Sequence, residues 1–259
     1  MVDVHSGLNR ADVNRSADVS KERLPHAVLD LPSRRLKGLK IEQLLALENL
    51  PRPIRMLEVG TGSGGIAHYF GTHPILRCEV SAVDVCDNRL VCDGYKFQLV
   101  KGTCLPFEDE SFDIVLTNHV IEHVGDAEAQ AHHLAEVRRV MKLDGVSYLA
   151  VPNRWMLVEP HYKLAFLSWL PHAWRTTYLR AMGKGEIYDC EPLQMKSLEH
   201  MLDEAAFRHC NICIPALRTT LEIEKPDSMI ARLIRVVPDV CISPFKRIIP
   251  TLVYRISRA

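Results

Sequence analysis

Short apolar segments alternate with helical stretches along the middle of the chain. From Arg55 onwards, five segments have the apolar runs of buried strands: "RMLEVG", "CEVSAVDV", "FQLVKG", "FDIVLTNHV" and "VSYLAVPN". A helix follows the glycines in "GIAHYFG", and residues 127–145 predict an amphipathic helix that ends at Gly145. This alternation predicts an α/β fold, a Rossmann-like, doubly wound and mainly parallel sheet with helices on both faces.

The pattern changes on both sides of this region. Residues 1–33 are polar and predict a flexible N-terminal arm, and a helix follows between residues 34 and 50. The aromatic stretch at about 154–192 is long for a crossover and predicts an inserted lid segment. A helix at 193–207 and a strand at 208–217 then restore the core, so the main domain is expected to span residues 34–227. Residues 228–259 form a basic and apolar C-terminal tail.

Composition limits the class of protein. A chain of 259 residues with 47% apolar and 25% charged residues suits one large α/β domain. Its 32 basic and 32 acidic residues balance, which argues against nucleic acid as a partner. Eight cysteines behind a polar start without a signal peptide predict free thiols in the cytoplasm. Cys210 and Cys213 have no second pair at zinc spacing, so no metal site is expected.

The glycine-rich turn after the first strand leaves two ligands open. Gly60, Gly62 and Gly65 have the spacing of a dinucleotide turn, while Gly60, Gly62 and Gly64 have the alternative G-x-G-x-G spacing. Glu58 precedes the turn, and its carboxylate would repel a pyrophosphate but attract an ammonium group. Asp84, at the end of the next strand, suits the ribose hydroxyls of either ligand.

Four motifs together resemble the class I S-adenosylmethionine-dependent methyltransferases, in particular those of methyltransferase type 11. They are "LEVGTGSGG", Asp84, "LPFEDESFDIVLTNHVIEHV" and "AEVRRVMKLDGVSYLAVPN", and they cover about residues 50–153. The resemblance implies a seven-stranded sheet and S-adenosyl-L-methionine as cofactor. Two departures exist: Leu143-Asp144-Gly145 replaces Pro-Gly-Gly, and Thr103-Cys104 stands where many relatives have an Asp beside the adenine.

The resemblance also implies which residues hold the cofactor. Glu58, Gly60 and Gly62 would hold the methionine end, Asp84 the ribose, and residues 102–105 the adenine. The full set of expected cofactor residues is Glu58, Gly60, Thr61, Gly62, Gly64, Asp84, Val85, Gly102, Thr103, Cys104, Leu105 and Asn118.

Histidines near the end of the fourth strand are the candidate general bases. Methylation of an oxygen benefits from a base with a pKa near the working pH, and we rank His123 first, then His161, then His119. His123 has a structural alternative, in which it bonds to nearby backbone, and an amine or carbon acceptor would need no base. Glu122 either orients a histidine or faces water, whereas His132 and His133 are expected at the surface.

The inserted segment bears on the acceptor. Its three tryptophans and many aliphatic residues predict a cover over a small, hydrophobic or lipid-linked acceptor. "PNRW" is also similar to the ubiquinone-type O-methyltransferases, where this segment is thought to meet the membrane. The C-terminal tail either rests on anionic lipid, packs on the domain or joins an oligomer. The location is therefore the cytoplasm or the inner face of the membrane.

Two other functions stay open at this point. An NAD(P)-dependent oxidoreductase would use the same glycine turn, although Glu58 argues against it. A partner subunit without activity would keep the cofactor site and lack an acceptor site.

Overall fold

The computed structural model describes residues 30–159, 162–188 and 190–259. Residues 1–29 of the expected arm lie outside this part, as does His161. The first described helix, α1, is Leu31–Leu45 and begins inside the expected arm. Asp30 caps it by accepting a hydrogen bond from the Ser33 amide at 2.8 Å, and Pro32 in the first turn suits a helix start. The boundary at residue 33 is therefore corrected to residue 30.

A seven-stranded sheet forms the centre of the described fold. Its strands are β1 (Ile54–Val59), β2 (Cys78–Asp84), β3 (Lys96–Leu99), β4 (Phe112–Asn118), β5 (Met141–Pro152), β8 (Phe207–Asn211) and β9 (Thr251–Arg258), and β6 (Val158–Glu159) pairs separately with β7 (Leu164–Ala165). Their order in the sheet is β3-β2-β1-β4-β5-β9-β8. The first five of these strands run parallel, and β9 is antiparallel to both of its neighbours. The predicted fold class is confirmed.

Helices cover both faces of this sheet. The described helices after α1 are α2 (Gly65–Gly71), α3 (Ala127–Val140), α4 (His172–Ala181), α5 (Met195–Glu204), α6 (Cys213–Glu224), α7 (Met229–Val236) and α8 (Asp239–Ile242), of which α2, α3, α5 and α6 pack on the sheet. On one face, α1, α2 and α6 pack on apolar side chains such as Ile114 and Leu116 of β4. On the other face, α3 and α5 pack on alternate side chains of the same strands, such as Val115.

Two predicted element boundaries are wrong. The helix over residues 127–145 ends at Val140, because Met141 takes an extended conformation and pairs with Phe112 as the first residue of β5. The strand over residues 208–217 ends at Asn211, whose side chain accepts the Cys213 amide at 3.2 Å. Pro215 is then in the first turn of α6, a position that tolerates proline.

The C-terminal residues are not a separate tail. Residues 251–258 form β9, which lies between β5 and β8, and Leu252, Val253, Tyr254 and Ile256 are buried. Burial of adjacent residues on both faces is typical of an interior strand. Because β9 completes the sheet, the main domain does not end at residue 227.

The inserted segment forms a small unit of its own. It leaves the sheet after β5 and contains the β6–β7 pair and α4 before α5 begins. Its described core consists of Leu164, Leu167, Leu179, Tyr188 and Cys190. Among the described residues, no helix is long and apolar enough to cross a membrane.

Candidate active site

A cavity of about 870 Å³ lies at the carboxyl ends of the parallel strands. Val59 at the end of β1, Asp84 at the end of β2 and Asn118 at the end of β4 line it. Thr251, the first residue of the antiparallel strand β9, reaches the same edge. Ligands of doubly wound sheets bind at this edge, so this cavity is the candidate active site.

The glycine turn forms one wall of the cavity. Gly60, Gly62 and Gly64 have φ values of 74°, 55° and 78°, a conformation that favours glycine. Gly60 and Gly62 line the cavity, and a side chain on Gly60 would meet Val120 at 2.5 Å. Gly64 is not among the described residues that line the cavity. Its missing side chain makes room for the Val91 carbonyl oxygen, which a Cβ would approach to 2.4 Å.

Glu58 is buried directly behind this turn. Its Oε2 accepts hydrogen bonds from Thr61 Oγ1 at 2.7 Å and from the Ala67 amide at 3.0 Å. Burial raises the pKa of Glu58 to about 8 in spite of these bonds. A positive charge beside this carboxyl group would offset the cost of its ionisation, which agrees with the ammonium expected there. A pyrophosphate is negatively charged, so it would not offset the cost of ionising Glu58.

Asp84 joins the end of β2 to the turn. Its Oδ2 accepts the Gly62 amide at 2.8 Å, and its Oδ1 accepts the Val85 amide at 2.7 Å. Asp84 and Val85 both line the cavity. Oδ1 also accepts the Cys86 amide at 3.3 Å, whereas Oδ2 has a further lone pair with which Asp84 can accept a hydrogen bond from a ligand hydroxyl.

The expected adenine segment forms a second wall. Gly102, Thr103 and Leu105 line the cavity, while Cys104 is exposed and does not line it in the described part of the chain. Two residues of α3 hold this segment in place. Glu136 Oε2 accepts the Leu105 amide at 2.7 Å, and Arg139 donates to the Leu105 carbonyl oxygen at 2.9 Å.

Two buried polar atoms in the cavity wall test whether a polar cofactor fits. Ser63 Oγ and Asn118 Oδ1 have no hydrogen-bond partner among the described residues. Both residues line the cavity. Unsatisfied buried polar atoms are costly, so a ligand with hydroxyl or amine groups would stabilise this wall. The glycine cradle and these two atoms therefore fit an adenosyl amino acid.

A histidine and a carboxylate are paired just beyond β4. His119 lines the cavity with a φ of 60°, and its amide donates to the Ala150 carbonyl oxygen at 2.8 Å. Its Nδ1 lies 3.1 Å from Glu122 Oε1. Glu122 is 1% exposed, and its Oε2 has no hydrogen-bond partner among the described residues. Of its two expected roles, Glu122 therefore orients a histidine.

The other histidines take different positions. His123 lines the cavity, and His161 lies outside the described residues. His132 is exposed as expected, but the expectation for His133 is wrong. His133 is 2% exposed, lines the cavity and lies 3.0 Å from Thr117 Oγ1 through its Nε2. It belongs to the apolar face of α3, and this burial lowers its pKa to about 4.

A group of basic residues on α1 adds a wall that sequence analysis missed. Arg34 and Lys37 line the cavity, as does Glu224 at the end of α6. Burial and the neighbouring Lys40 lower the pKa of Lys37 to about 7. Positive charge in this wall suits an anionic group of a ligand, such as a carboxylate. The spacing of residues 34 and 37 in the sequence indicates that both lie on one face of a helix. It does not indicate that this face meets the edge of the sheet.

Known proteins have sequences similar to the part of this chain that forms the sheet and the cavity. Residues 57–149 match the family model described as a methyltransferase domain. An uncharacterized protein of Methanocaldococcus jannaschii is 28% identical over 188 residues, which are 71% of this chain and 78% of that protein. A phthiotriol/phenolphthiotriol dimycocerosates methyltransferase of Mycobacterium ulcerans is 36% identical over 100 residues, 35% of each chain.

A solved structure shows the same fold. The phosphoethanolamine N-methyltransferase of Haemonchus contortus in complex with S-adenosyl-L-methionine superposes with a TM-score of 0.51 at 15% identity. The match covers 86% of this chain and 53% of that protein, so this chain spans about half its length. These similarities do not favour the oxidoreductase or the silent subunit. Residues 57–149 are the core of a class I S-adenosylmethionine-dependent methyltransferase domain, and this enzyme uses S-adenosyl-L-methionine as its cofactor.

Proposed function

We propose that this methyltransferase acts on a hydroxyl oxygen of a small apolar or lipid-linked acceptor, with His119 as the general base. The observation that carries the proposal is the pair of His119 Nδ1 and the buried Glu122 carboxylate, 3.1 Å apart at the cavity wall. An oxygen acceptor must lose a proton during methylation, and a histidine held by a carboxylate is suited to take it.

The contact with Glu122 supports His119 as this base. A carboxylate only accepts hydrogen bonds, so Glu122 fixes the His119 tautomer with the proton on Nδ1. Nε2 is then the nitrogen that takes the hydroxyl proton. His123, together with Val120 and Val124 in the same wall, is proposed to shape the acceptor pocket.

The cavity walls suggest how the chain holds the cofactor. When bound, S-adenosylmethionine supplies a methyl group on a positively charged sulfur. We assign its ribose to Asp84, its amino group to the side of the turn backed by Glu58, and its carboxylate to Arg34. The remaining expected residues of the turn and of segment 102–105 complete the proposed site, apart from Cys104, which is exposed, and Gly64, whose missing side chain makes room for the Val91 carbonyl oxygen.

Exposed aromatic residues support an apolar acceptor. Trp155, Trp169 and Trp174 of the insertion are 37%, 39% and 67% exposed. The insertion joins the base-bearing segment directly, because the Glu191 amide donates to the Glu122 carbonyl oxygen at 3.2 Å. Its described residues do not line the cavity, so closure of the insertion over the acceptor is part of the proposal. The name of the Mycobacterium ulcerans relative, a methyltransferase of a triol, agrees with a hydroxyl acceptor.

A panel of acceptors tests the chemistry. Transfer of labelled methyl groups would be measured to dodecylcatechol, catechol and dodecylamine, which vary the accepting atom and the apolar chain separately. We expect dodecylcatechol to have the highest kcat/KM. Preferential methylation of dodecylamine would overturn the oxygen assignment, and preference for catechol would overturn the apolar acceptor.

Substitutions test the base with the same acceptor. His119→Ala should lower kcat by about 10²–10⁴-fold, because proton transfer by a positioned base contributes this much. Glu122→Gln should lower kcat with little change in KM. His200→Ala is the matched control, because His200 belongs to an exposed histidine–carboxylate pair with Glu204 at 3.3 Å on α5. Cofactor affinity, measured by titration calorimetry, should stay unchanged in all three variants. A nearly normal rate for His119→Ala would remove it from the mechanism.

A further inference from the structure

Residues 225–250, here called the rim segment, leave the fold and return to it beside the active-site cavity. Glu224, just before the segment, and Thr251, just after it, both line the cavity. The segment contains α7, α8 and the 3-10 helix Ser243–Ile248. Both ends of the rim segment therefore lie beside the cavity.

An apolar stripe on α7 faces away from the protein. Met229, Leu233 and Val236 are 86%, 60% and 75% exposed, and their spacing places them on one side of the helix. Ala231, on the opposite side, is 2% exposed and packs against the body. Exposed apolar side chains continue beyond α7 at Val240 and Phe245. A contiguous exposed patch of this kind marks a contact surface.

Hydrogen bonds hold the rim segment in this orientation. Arg218 of α6 donates to the Val237 carbonyl oxygen at 2.6 Å and to Asp239 Oδ1 at 2.6 Å. Near the C-terminal end of the segment, Asn153 Nδ2 donates to the carbonyl oxygens of Arg247 and Ile249 at 2.9 and 2.8 Å. The segment that presents the stripe is thus fixed at its middle and near its C-terminal end.

The charge of the rim segment indicates what it contacts. It has five basic residues and two acidic ones, whereas the whole chain is balanced. The basic residues are Lys225, Arg232, Arg235, Lys246 and Arg247. One of the two acids, Asp239, is already paired with Arg218 at 2.6 Å. An apolar stripe with basic residues on its flanks matches an anionic lipid surface.

We propose that the rim segment docks on anionic membranes, with Met229, Leu233 and Val236 inserted at the headgroup boundary and the cavity mouth turned to the bilayer. This inference rests on the proposed apolar acceptor, since it gives an acceptor dissolved in lipid a short path into the cavity. The segment lies on the membrane surface and does not cross it.

A second copy of the chain fits this surface less well. A two-fold contact would place the same basic residues opposite each other. The helix α7 has eight residues and is about 12 Å long at about 1.5 Å per residue, which is short for a stable dimer interface. An anionic lipid surface does not repel these basic residues, and it does not require a large contact area on α7.

Vesicle flotation tests the docking surface. The full chain should float with phosphatidylcholine vesicles that contain phosphatidylglycerol, and binding should fall in high salt. Leu233→Asp should reduce binding by about tenfold or more, because it places a charge within the stripe. Arg232→Gln should reduce it by about fivefold, as expected for about 1 kcal/mol per basic residue near the surface. Ile75→Asp is the matched control, since Ile75 is 68% exposed and lies before β2, at the opposite edge of the sheet.

Three results would overturn the docking proposal. They are a wild-type chain that does not float, a Leu233→Asp variant that floats like the wild type, and a wild-type dimer in light scattering that Leu233→Asp dissociates. The proposed chemistry has a separate readout, because catechol in solution needs no membrane. If Leu233→Asp loses vesicle binding but still methylates catechol at the wild-type rate, docking is supported on its own. If no hydroxyl acceptor is methylated while the flotation pattern holds, only the proposed function fails.

Discussion

At the scale of single residues, Asp84 combines two tasks at the end of β2. Its carboxylate accepts the amides of Gly62 and Val85, and so holds the glycine turn against the sheet. In the proposed complex it also accepts the ribose hydroxyls. Asp84→Ala should therefore weaken the binding of S-adenosylmethionine by about 1.5–3 kcal/mol, the range for hydrogen bonds to a charged group. Titration calorimetry measures this change directly.

Asp87 is the matched control for Asp84. It lies three residues further along, is exposed and pairs with Arg89 at 2.8 Å. Asp87→Ala should leave the affinity unchanged, and thermal unfolding checks that both variants fold. Equal affinities for wild type and Asp84→Ala would refute the ribose assignment.

Several site residues could be predicted from sequence because a backbone requirement fixes their type. The glycines need positive φ, and Glu58 and Asp84 end adjacent parallel strands, whose carboxyl ends meet at one edge. The pairing of His119 with Glu122 was left open, because it depends on a left-handed residue and a single 3-10 turn. His133 was missed because a polar residue on an amphipathic helix is usually exposed, whereas here Thr117 provides a buried partner.

At the scale of elements, α3 positions the segment that forms the expected adenine wall. Arg139 donates to the carbonyl oxygens of Leu105 and Phe107 at 2.9 and 2.7 Å, and its Nε donates to Glu136 at 2.6 Å. Arg139→Met should lower the free energy of unfolding by about 1.5–3 kcal/mol, because charged hydrogen bonds are lost. It should also raise the Kd of the cofactor, since residues 102–105 lose their support. Urea unfolding and calorimetry measure the two effects.

Arg138 provides the comparison on the same helix. Its Nε donates to the Ala206 carbonyl oxygen in an exposed hydrogen bond of 3.3 Å, whereas the bonds of Arg139 to Leu105 and Phe107 are partly buried. Arg138→Met should change the free energy of unfolding by no more than about 0.5 kcal/mol, as is usual at the surface. Equal losses in the two variants would contradict the specific role of Arg139.

The order of elements was predictable, but two boundaries were not. A buried helix and a buried strand can both contain short apolar runs. The sequence pattern therefore did not separate the end of α3 from the start of β5 at Met141. The change from β8 to α6 depends on the Asn211 side chain, which caps the next element. Such local side-chain contacts are visible only in three dimensions.

At the scale of the whole molecule, the sheet is completed by the last residues of the chain. The pairing of β9 with β5 joins residues that are about a hundred positions apart in sequence, such as Pro152 and Thr251. Sequence analysis grouped residues 228–259 by their basic charge. In the structure, these residues instead belong partly to the exposed rim segment and partly to the buried strand β9. The basic residue Arg255 is an exposed position of that strand, and its neighbours Tyr254 and Ile256 are buried. Local composition therefore could not reveal the interior strand.

The stability of the whole fold should depend on pH through His133, which is buried between β4 and α3. Its folded pKa of about 4 lies below the ordinary value of 6.5, so the unfolded chain binds more protons below pH 6.5 and stability falls as the pH drops towards 4. Between pH 7 and pH 5 this residue should cost about 2 kcal/mol. His133→Gln keeps a hydrogen bond to Thr117 but does not titrate. In urea unfolding, the wild type should lose about 2 kcal/mol more than this variant over that interval, and equal losses would show that His133 is not the group that titrates.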